Sequence, residues 1–177
     1  MKALFLDRDG VIVEYVPYLG KVEDVIIPQG AVEALRKWQE ADYQLVIVTN
    51  QSGISRGYFS KEEVDLIHQK IRDEYDKGGV KFTDILLCPH QPKDNCICRK
   101  PSPYLIKQYA QEFNIILENS FFIGDADSDL ECAINAKCHP ILILTGRGKD
   151  TLQGMNKYSI PITIINNLEE STQIIKK

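Results

Sequence analysis

Asp7-Arg8-Asp9-Gly10 follows directly on a short apolar run, Ala3–Leu6. Two carboxylates at i and i+2 around a strand end can converge on a cation, and a carboxylate there can also attack phosphorus to give an aspartyl-phosphate. Thr49-Asn50-Gln51-Ser52-Gly53 ends a second apolar run with a hydroxyl and several N–H donors suited to phosphate oxygens. Arg99-Lys100-Pro101 offers two cations just ahead of a helical stretch, and Gly124-Asp125 with Asp129 sets carboxylates one helical turn apart. Each group alone has a plainer reading. Asp and Gly cap turns, the Thr49 segment is an ordinary strand-to-helix loop, the cation pair is solvated, and Asp129 caps a helix. All four in this order are far harder to attribute to coincidence.

A second constellation lies between the cations and the strand before them. Cys88, His90, Cys96 and Cys98 give the pattern C-x-H-x5-C-x-C, an imidazole and three thiols within eleven positions. The chain opens with too short an apolar run for an export signal, so its five cysteines are expected reduced, and the cluster reads as metal-binding before disulfide. Cys₃His is a closed structural zinc set with no open position for water. The loop runs straight into Arg99 and Lys100, so a metal there orients two phosphate-facing cations. Cys132 and Cys138 read as small core residues. His68 and His139 have no evident partner and read as surface or structural.

The elements that must carry these residues alternate. Strands are expected at Ala3–Leu6, Gln44–Thr49, Asp84–Leu87, Ser120–Ile123, Ile141–Leu144 and Ile160–Ile165. Helices are expected over 30–41, from the capping box Ser60-x-x-Glu63 to about 77, from Ser102-Pro103 to 113, from a second box Ser128-x-x-Glu131 to about 137, and over 168–175. Strands apolar on both faces and separated by helices indicate a doubly wound α/β fold with a parallel sheet. In such sheets ligands bind beyond the C-terminal strand ends, and Asp7, Thr49-Asn50, Cys88 and Gly124-Asp125 follow the first four strands in turn. With 177 residues, 44% of them hydrophobic, the chain suffices for one domain, expected over 1–177 with the zinc loop at 88–98. Its net charge of −4 speaks against nucleic acid, and no apolar run is long enough to span a membrane. The expectation is a cytoplasmic monomer acting on a small metabolite.

The four motifs together resemble the haloacid dehalogenase superfamily of phosphohydrolases, over nearly the whole chain to about Gly148. The resemblance implies a Rossmann-like fold in which Asp7 is the nucleophile and Asp9 the general acid and then base. Thr49 and Lys100 would hold the transferring phosphoryl group, and Asp7, the Asp9 carbonyl and Asp125 would bind Mg²⁺. With the zinc loop, the strings DRDGVI, VTNQSGISRGYF, CPH…CxCRKP and GDADSDLECA resemble the D-glycero-D-manno-heptose-1,7-bisphosphate phosphatase branch. Histidinol-phosphate phosphatases are its close kin, and the short His90–Cys96 gap is more like theirs. The heptose branch implies substrate contacts from Tyr15, Val16, Pro17 and Tyr18, from Thr49, Asn50, Gln51 and Ser52, and from Arg99. Two departures stand out: Tyr15–Gly20 replaces the usual loop pattern, and Ala126 replaces a cation. The competing reading from another class is a zinc-stabilised binding module without catalysis. Neither the gap from Asp9 to Thr49 nor that from Thr49 to Lys100 has room for an inserted cap domain, so an open cleft is expected.

Overall fold

β1 (Lys2–Leu6) is buried on both faces: Leu4 and Leu6 enter one core, Ala3 and Phe5 the other. A strand of this kind is stable only when both sides are covered, and the rest of the chain supplies the two covers. The computed structural model describes residues 1–175; Lys176 and Lys177, the last positions of the expected domain, lie outside the described residues. After β1 come α1 (Ala31–Glu40), β2 (Tyr43–Asn50), α2 (Lys61–Asp76), β3 (Phe82–Cys88) and α3 (Tyr104–Phe113). They are followed by β4 (Phe121–Gly124), α4 (Asp127–Ala136), β5 (His139–Ile143), α5 (Gly148–Gln153), β6 (Thr163–Ile165) and α6 (Leu168–Ser171). The six strands form one parallel sheet in the order β3-β2-β1-β4-β5-β6. α1, α2 and α6 pack on the Leu4/Leu6 side, and α3 and α4 on the Ala3/Phe5 side.

This order has a functional consequence. The chain winds outward from β1 through β2 to β3, then returns and winds the other way through β4, β5 and β6. The reversal falls between β1 and β4, where the loops leaving adjacent strands part and open a crevice at the C-terminal ends. Asp7 leaves β1 there and Asp125 leaves β4. Among the described residues no further folded unit stands over that crevice.

Several boundaries differ from expectation, each for a local reason. The second capping box does not form at Ser128 and Glu131: α4 starts at Asp127, and the Asp129 carboxylate reaches back to accept the Ala126 N–H at 3.1 Å. Pro103 precedes α3 instead of opening it, because its backbone is not helical; the Ser102 hydroxyl accepts the Tyr104 N–H at 3.3 Å. β6 is confined to Thr163–Ile165, since Pro161 has no N–H to give a ladder. β3 is longer than Asp84–Leu87, β5 lies two residues earlier at its start, and the terminal helix gives way to a 3₁₀ turn over Thr172–Ile174. The Ser60/Glu63 box is as expected, with the Glu63 N–H on the Ser60 hydroxyl and the Ser60 N–H on the Glu63 carboxylate.

Two buried polar contacts tie together the cover on the Leu4/Leu6 side and the turn after β1. Trp38 of α1 donates its indole N–H to the Ser171 hydroxyl at 2.9 Å. Tyr75 of α2 donates its hydroxyl to the Ile12 carbonyl at 2.7 Å, pinning the turn that follows β1. Tyr75→Phe keeps the ring packing but strands that carbonyl in an apolar core. It should lower unfolding free energy by about 1–3 kcal/mol, measured by urea denaturation.

Candidate active site

Lys100 arrives at the crevice from the end of the 88–101 loop and is 4% exposed. Its ammonium lies 2.7 Å from Asp7 Oδ1, 2.7 Å from Asp129 Oδ1 and donates to the Val48 carbonyl at 2.7 Å. A reciprocal pair of hydrogen bonds fixes its backbone: the Lys100 N–H donates to Asn50 Oδ1 at 3.0 Å, and the Asn50 amide donates to the Lys100 carbonyl at 3.2 Å. Burial works to lower the lysine's proton affinity, but the charges of Asp129 and Asp7 outweigh it and raise the pKa, so the ammonium is retained. The three carboxylates Asp7, Asp125 and Asp129 are buried, with oxygens within 4.8 Å of one another. Burial first, and then the charge of Asp7, pushes Asp129 up to about 7 and moves Asp125 in the same direction. Buried oxygen donors crowded in this way are what a hard divalent cation requires, and they fit Mg²⁺.

Two glycines make the approach to Asp125 possible. Gly10 has φ +80° and Gly146 φ +54°, and a Cβ on either would come within 2.5 Å of Asp125 Oδ2. The carboxylate is instead reached by backbone and by one side chain. Arg147 donates its N–H to Oδ2 at 2.8 Å and its guanidinium to Oδ1 at 3.1 Å, while Thr151 donates to the Asp125 carbonyl. The guanidinium carbon also sits 5.6 Å from the centre of the Tyr15 ring.

A cavity of about 280 Å³ opens above these groups. Asp7, Asp9 and Lys100 line it, as do Tyr15, Val16, Pro17 and Tyr18 on one side. Asn50, Gln51 and Ser52 line another side, with Arg99 beside them. Thr49 and Asp125 do not reach its surface. The Thr49 hydroxyl is buried and accepts from Gln51 Nε2 at 2.7 Å, and Asp125 lies beneath Arg147. The Gln51 amide also donates to Asp9 Oδ2 at 2.9 Å. Asp9 turns its carboxylate away from the acidic cluster, onto the fully buried Arg8 (Nε to Oδ2 3.1 Å, Nη2 to Oδ1 2.9 Å). His68 lies behind Arg8, with Nε2 3.4 Å from the guanidinium. Burial and the Arg8 charge lower this histidine to about 3, so its ring is neutral and accepts. His68 is thus a core residue with a partner, while His139 is exposed beside the Glu118 carbonyl. Cys132 and Cys138 are buried, as expected.

The cysteine–histidine loop closes on itself. Cys88 Sγ is 3.2 Å from Cys98 Sγ and 3.6 Å from Cys96 Sγ, and His90 Nδ1 is 3.3 Å from Cys98 Sγ. Tetrahedral zinc with Zn–S near 2.3 Å sets sulfurs about 3.8 Å apart, so four donors already facing one point fit that ion. The Arg99 guanidinium donates to the His90 carbonyl at 2.9 Å, tying one cavity-lining cation to the loop.

Three participants were not singled out from the sequence: Arg147, Arg8 and the pairing of Asp129 with Lys100. Arg147 had a usable signal, since Thr145-Gly146-Arg147 follows the fifth strand as the other motifs follow the first four. The pairing of Asp129 with Lys100 joins residues distant in sequence and emerges only from the fold.

Sheet order, crevice and carboxylate–lysine cluster are those of a hydrolase of the haloacid dehalogenase class, and a family model described as HAD-hydrolase-like matches residues 97–171. The chain is 42% identical over 144 residues to a D-glycero-beta-D-manno-heptose-1,7-bisphosphate 7-phosphatase of Helicobacter pylori, covering 81% of this chain and 83% of that one. It is 37% identical over 154 residues to the enzyme of the same name from Pseudomonas putida, covering 86% and 88%. The crystal structure of D,D-heptose 1,7-bisphosphate phosphatase from B. bronchiseptica, complexed with magnesium and phosphate, superposes with a TM-score of 0.91 at 32% identity, covering 98% of this chain and 97% of that one. The chain belongs to this family of haloacid dehalogenase phosphatases and is a phosphoric monoester hydrolase.

The raised Asp129 pKa has a measurable consequence. A carboxyl that binds its proton more tightly folded than unfolded favours the fold at low pH, and that advantage is lost as pH climbs from about 4 to about 7. In chelator, the stability of the wild type relative to Asp129→Asn should therefore fall across this window, on the order of a few kcal/mol. Urea melts at pH 5 and pH 7.5 measure it; a difference independent of pH would mean Asp129 stays ionised throughout.

Proposed function

We propose that the chain is a Mg²⁺-dependent phosphomonoesterase that takes one phosphate from a small sugar bisphosphate, D-glycero-D-manno-heptose 1,7-bisphosphate, through an aspartyl-phosphate on Asp7. The observation that carries the reading is the Asp7 carboxylate, nearly buried at the base of a polar cavity and ion-paired with Lys100 at 2.7 Å. The names of the relatives support the substrate and the 7-phosphate as the group removed.

Asp7 attacks phosphorus and the bond from phosphorus to the sugar oxygen breaks, with Asp9 giving its proton to the leaving oxygen. Asp9, now ionised, takes a proton from water as the hydroxyl attacks the acyl-phosphate; the bond from Asp7 oxygen to phosphorus breaks and inorganic phosphate leaves. The two transfers together restore both groups to their starting state. Asp7, Asp125 and the Asp9 carbonyl are the groups we assign to Mg²⁺, which when bound offsets the repulsion between a carboxylate and a phosphate dianion. Lys100 does the same from the protein side and is already held against the nucleophile. Ser52 and the backbone around Asn50 are left to donate to phosphate oxygens, because the amides of Asn50 and Gln51 are committed to Lys100 and Asp9. The Thr49 hydroxyl lies beneath the cavity, where it accepts from the Gln51 amide and so helps position it.

Asp7→Asn should abolish turnover with an unchanged fold, since an amide cannot form the acyl-phosphate. Asp9→Asn should accumulate phosphoenzyme from a substrate with a good leaving group, detected by acid quench and intact mass. Normal rates in Asp7→Asn would end the covalent reading. A panel of sugar bisphosphates, histidinol phosphate and nucleotides, each with Mg²⁺ and with chelator, tests substrate and metal together; hydrolysis of histidinol phosphate above all others would overturn the heptose assignment, and no hydrolysis of any would favour a binding module.

Zinc in the Cys88, His90, Cys96 and Cys98 loop is proposed as structural. Elemental analysis of protein purified without chelator should return one zinc per chain. Cys96→Ser should melt earlier and show a raised KM, because the loop orders Arg99 and Lys100.

A further inference from the structure

Five of the six arginines are committed. Arg8 is on Asp9, Arg36 on Glu33 and Glu40, Arg72 on the Phe82 carbonyl, Arg99 on the His90 carbonyl and Arg147 on Asp125. The Arg56 guanidinium alone makes no hydrogen bond or ion pair among the described residues, and Arg56 lines the same cavity as Asp7 and Lys100.

Arg56 does not ride on a loose segment. Its N–H donates to the Ser52 carbonyl at 3.0 Å, that of Gly57 to Ile54 at 3.0 Å and that of Tyr58 to Gly53 at 2.9 Å. The turn is also bolted to the zinc loop: Ser55 donates its N–H to the Pro89 carbonyl at 3.2 Å and its hydroxyl to Asp94 at 2.6 Å, and Gln91 donates to the Ser55 hydroxyl at 3.1 Å. A well-held turn thus presents an unpaired guanidinium to a cavity whose other two guanidiniums are tied back. Beside it, Tyr18 (φ +51°) and Tyr58 (next to Gly57, φ +73°) meet edge to face at 4.9 Å while remaining 52% and 60% exposed. An exposed aromatic pair next to a free cation offers an apolar face for a sugar's C–H groups and a bidentate donor for a phosphate.

We infer that Arg56 is a specificity residue: it holds the phosphate that is not removed, while the reacting phosphate sits at Asp7 and Lys100, and the Tyr18–Tyr58 pair supports the sugar between them. This rests on the bisphosphate reading above. Ala126 offers no side-chain donor for such a group, so the cation must come from another segment.

The test compares wild type, Arg56→Met and Arg56→Lys on the heptose bisphosphate and on p-nitrophenyl phosphate, all with Mg²⁺. Arg56→Met should raise KM for the bisphosphate roughly tenfold or more, the scale of a lost charge-assisted hydrogen bond, and leave its kcat within about twofold. Arg56→Lys should recover part of the loss, and the aryl phosphate kinetics should not move in either variant. A wild type that prefers the bisphosphate while Arg56→Met keeps the same KM would overturn the Arg56 assignment alone. Equal losses on both substrates would overturn it too, showing that Arg56 supports the reacting centre. A wild type that cleaves the aryl phosphate but shows no preference for the bisphosphate would defeat the bisphosphate reading, and this assignment with it.

Discussion

A lysine ammonium held between two buried carboxylates is the constraint around which this chain is arranged. Lys100 is nearly inaccessible, and an unpaired charge at that depth costs several kcal/mol. Asp7 and Asp129 provide the pairing, yet one lies just after β1 and the other in the first turn of α4 after β4, on opposite sides of Lys100 in sequence. Only a sheet in which β1 and β4 are neighbours brings them to one point. Asp129 then serves twice, its second oxygen capping the first turn of α4 through the Ala126 N–H. The helix start and the ion pair are therefore one structure, and loss of either disturbs both.

The same constraint explains why the 88–101 loop needs its own source of order. A segment of that length with only a short 3₁₀ turn, Pro92–Asp94, has little hydrogen bonding to hold it. Yet it must deliver Lys100 to within hydrogen-bond distance of Asp7. Three thiols and an imidazole converge on one point within it, and Arg99 and Ser55 are tied to the same loop through the His90 carbonyl, the Pro89 carbonyl and Asp94. The loop thereby acts at two distances, through Lys100 on the reacting groups and through Ser55 on the rim of the cavity.

Much of this was legible because the parallel sheet couples two kinds of signal. Doubly apolar strands such as Ala3–Leu6 announce a buried sheet, and the polar residues just after them mark its C-terminal end, so Asp7, Lys100, Asp125 and the cluster of Cys88, His90, Cys96 and Cys98 could be read from order and spacing. What could not be read was how side chains divide their hydrogen bonds. The Thr49–Ser52 string looks like a set of phosphate donors, but in the fold Asn50 clamps Lys100 and Gln51 spans Thr49 and Asp9. Ser128 and Glu131 match a capping box by spacing, yet Asp129 takes the cap because its carboxylate is already anchored by Lys100. Arg8 reads as a turn residue between two aspartates, and its burial against His68 follows only from where α2 packs.

The loss of a cation at position 126 looks damaging in the sequence and much less so in the fold. Three carboxylates, Asp7, Asp125 and Asp129, face two cations, Lys100 and Arg147. Arg147 reaches Asp125 from the loop after β5, so part of the charge facing the carboxylates comes from the neighbouring strand end, with the guanidinium beside the Tyr15 ring. The cluster is left one positive charge short. A divalent ion joining it turns that deficit into an excess of one, and a cavity that disfavours phosphate becomes one that attracts it. Charge balance, more than the identity of any single position, is what this site has to preserve, and a parallel sheet offers several strand ends from which to preserve it.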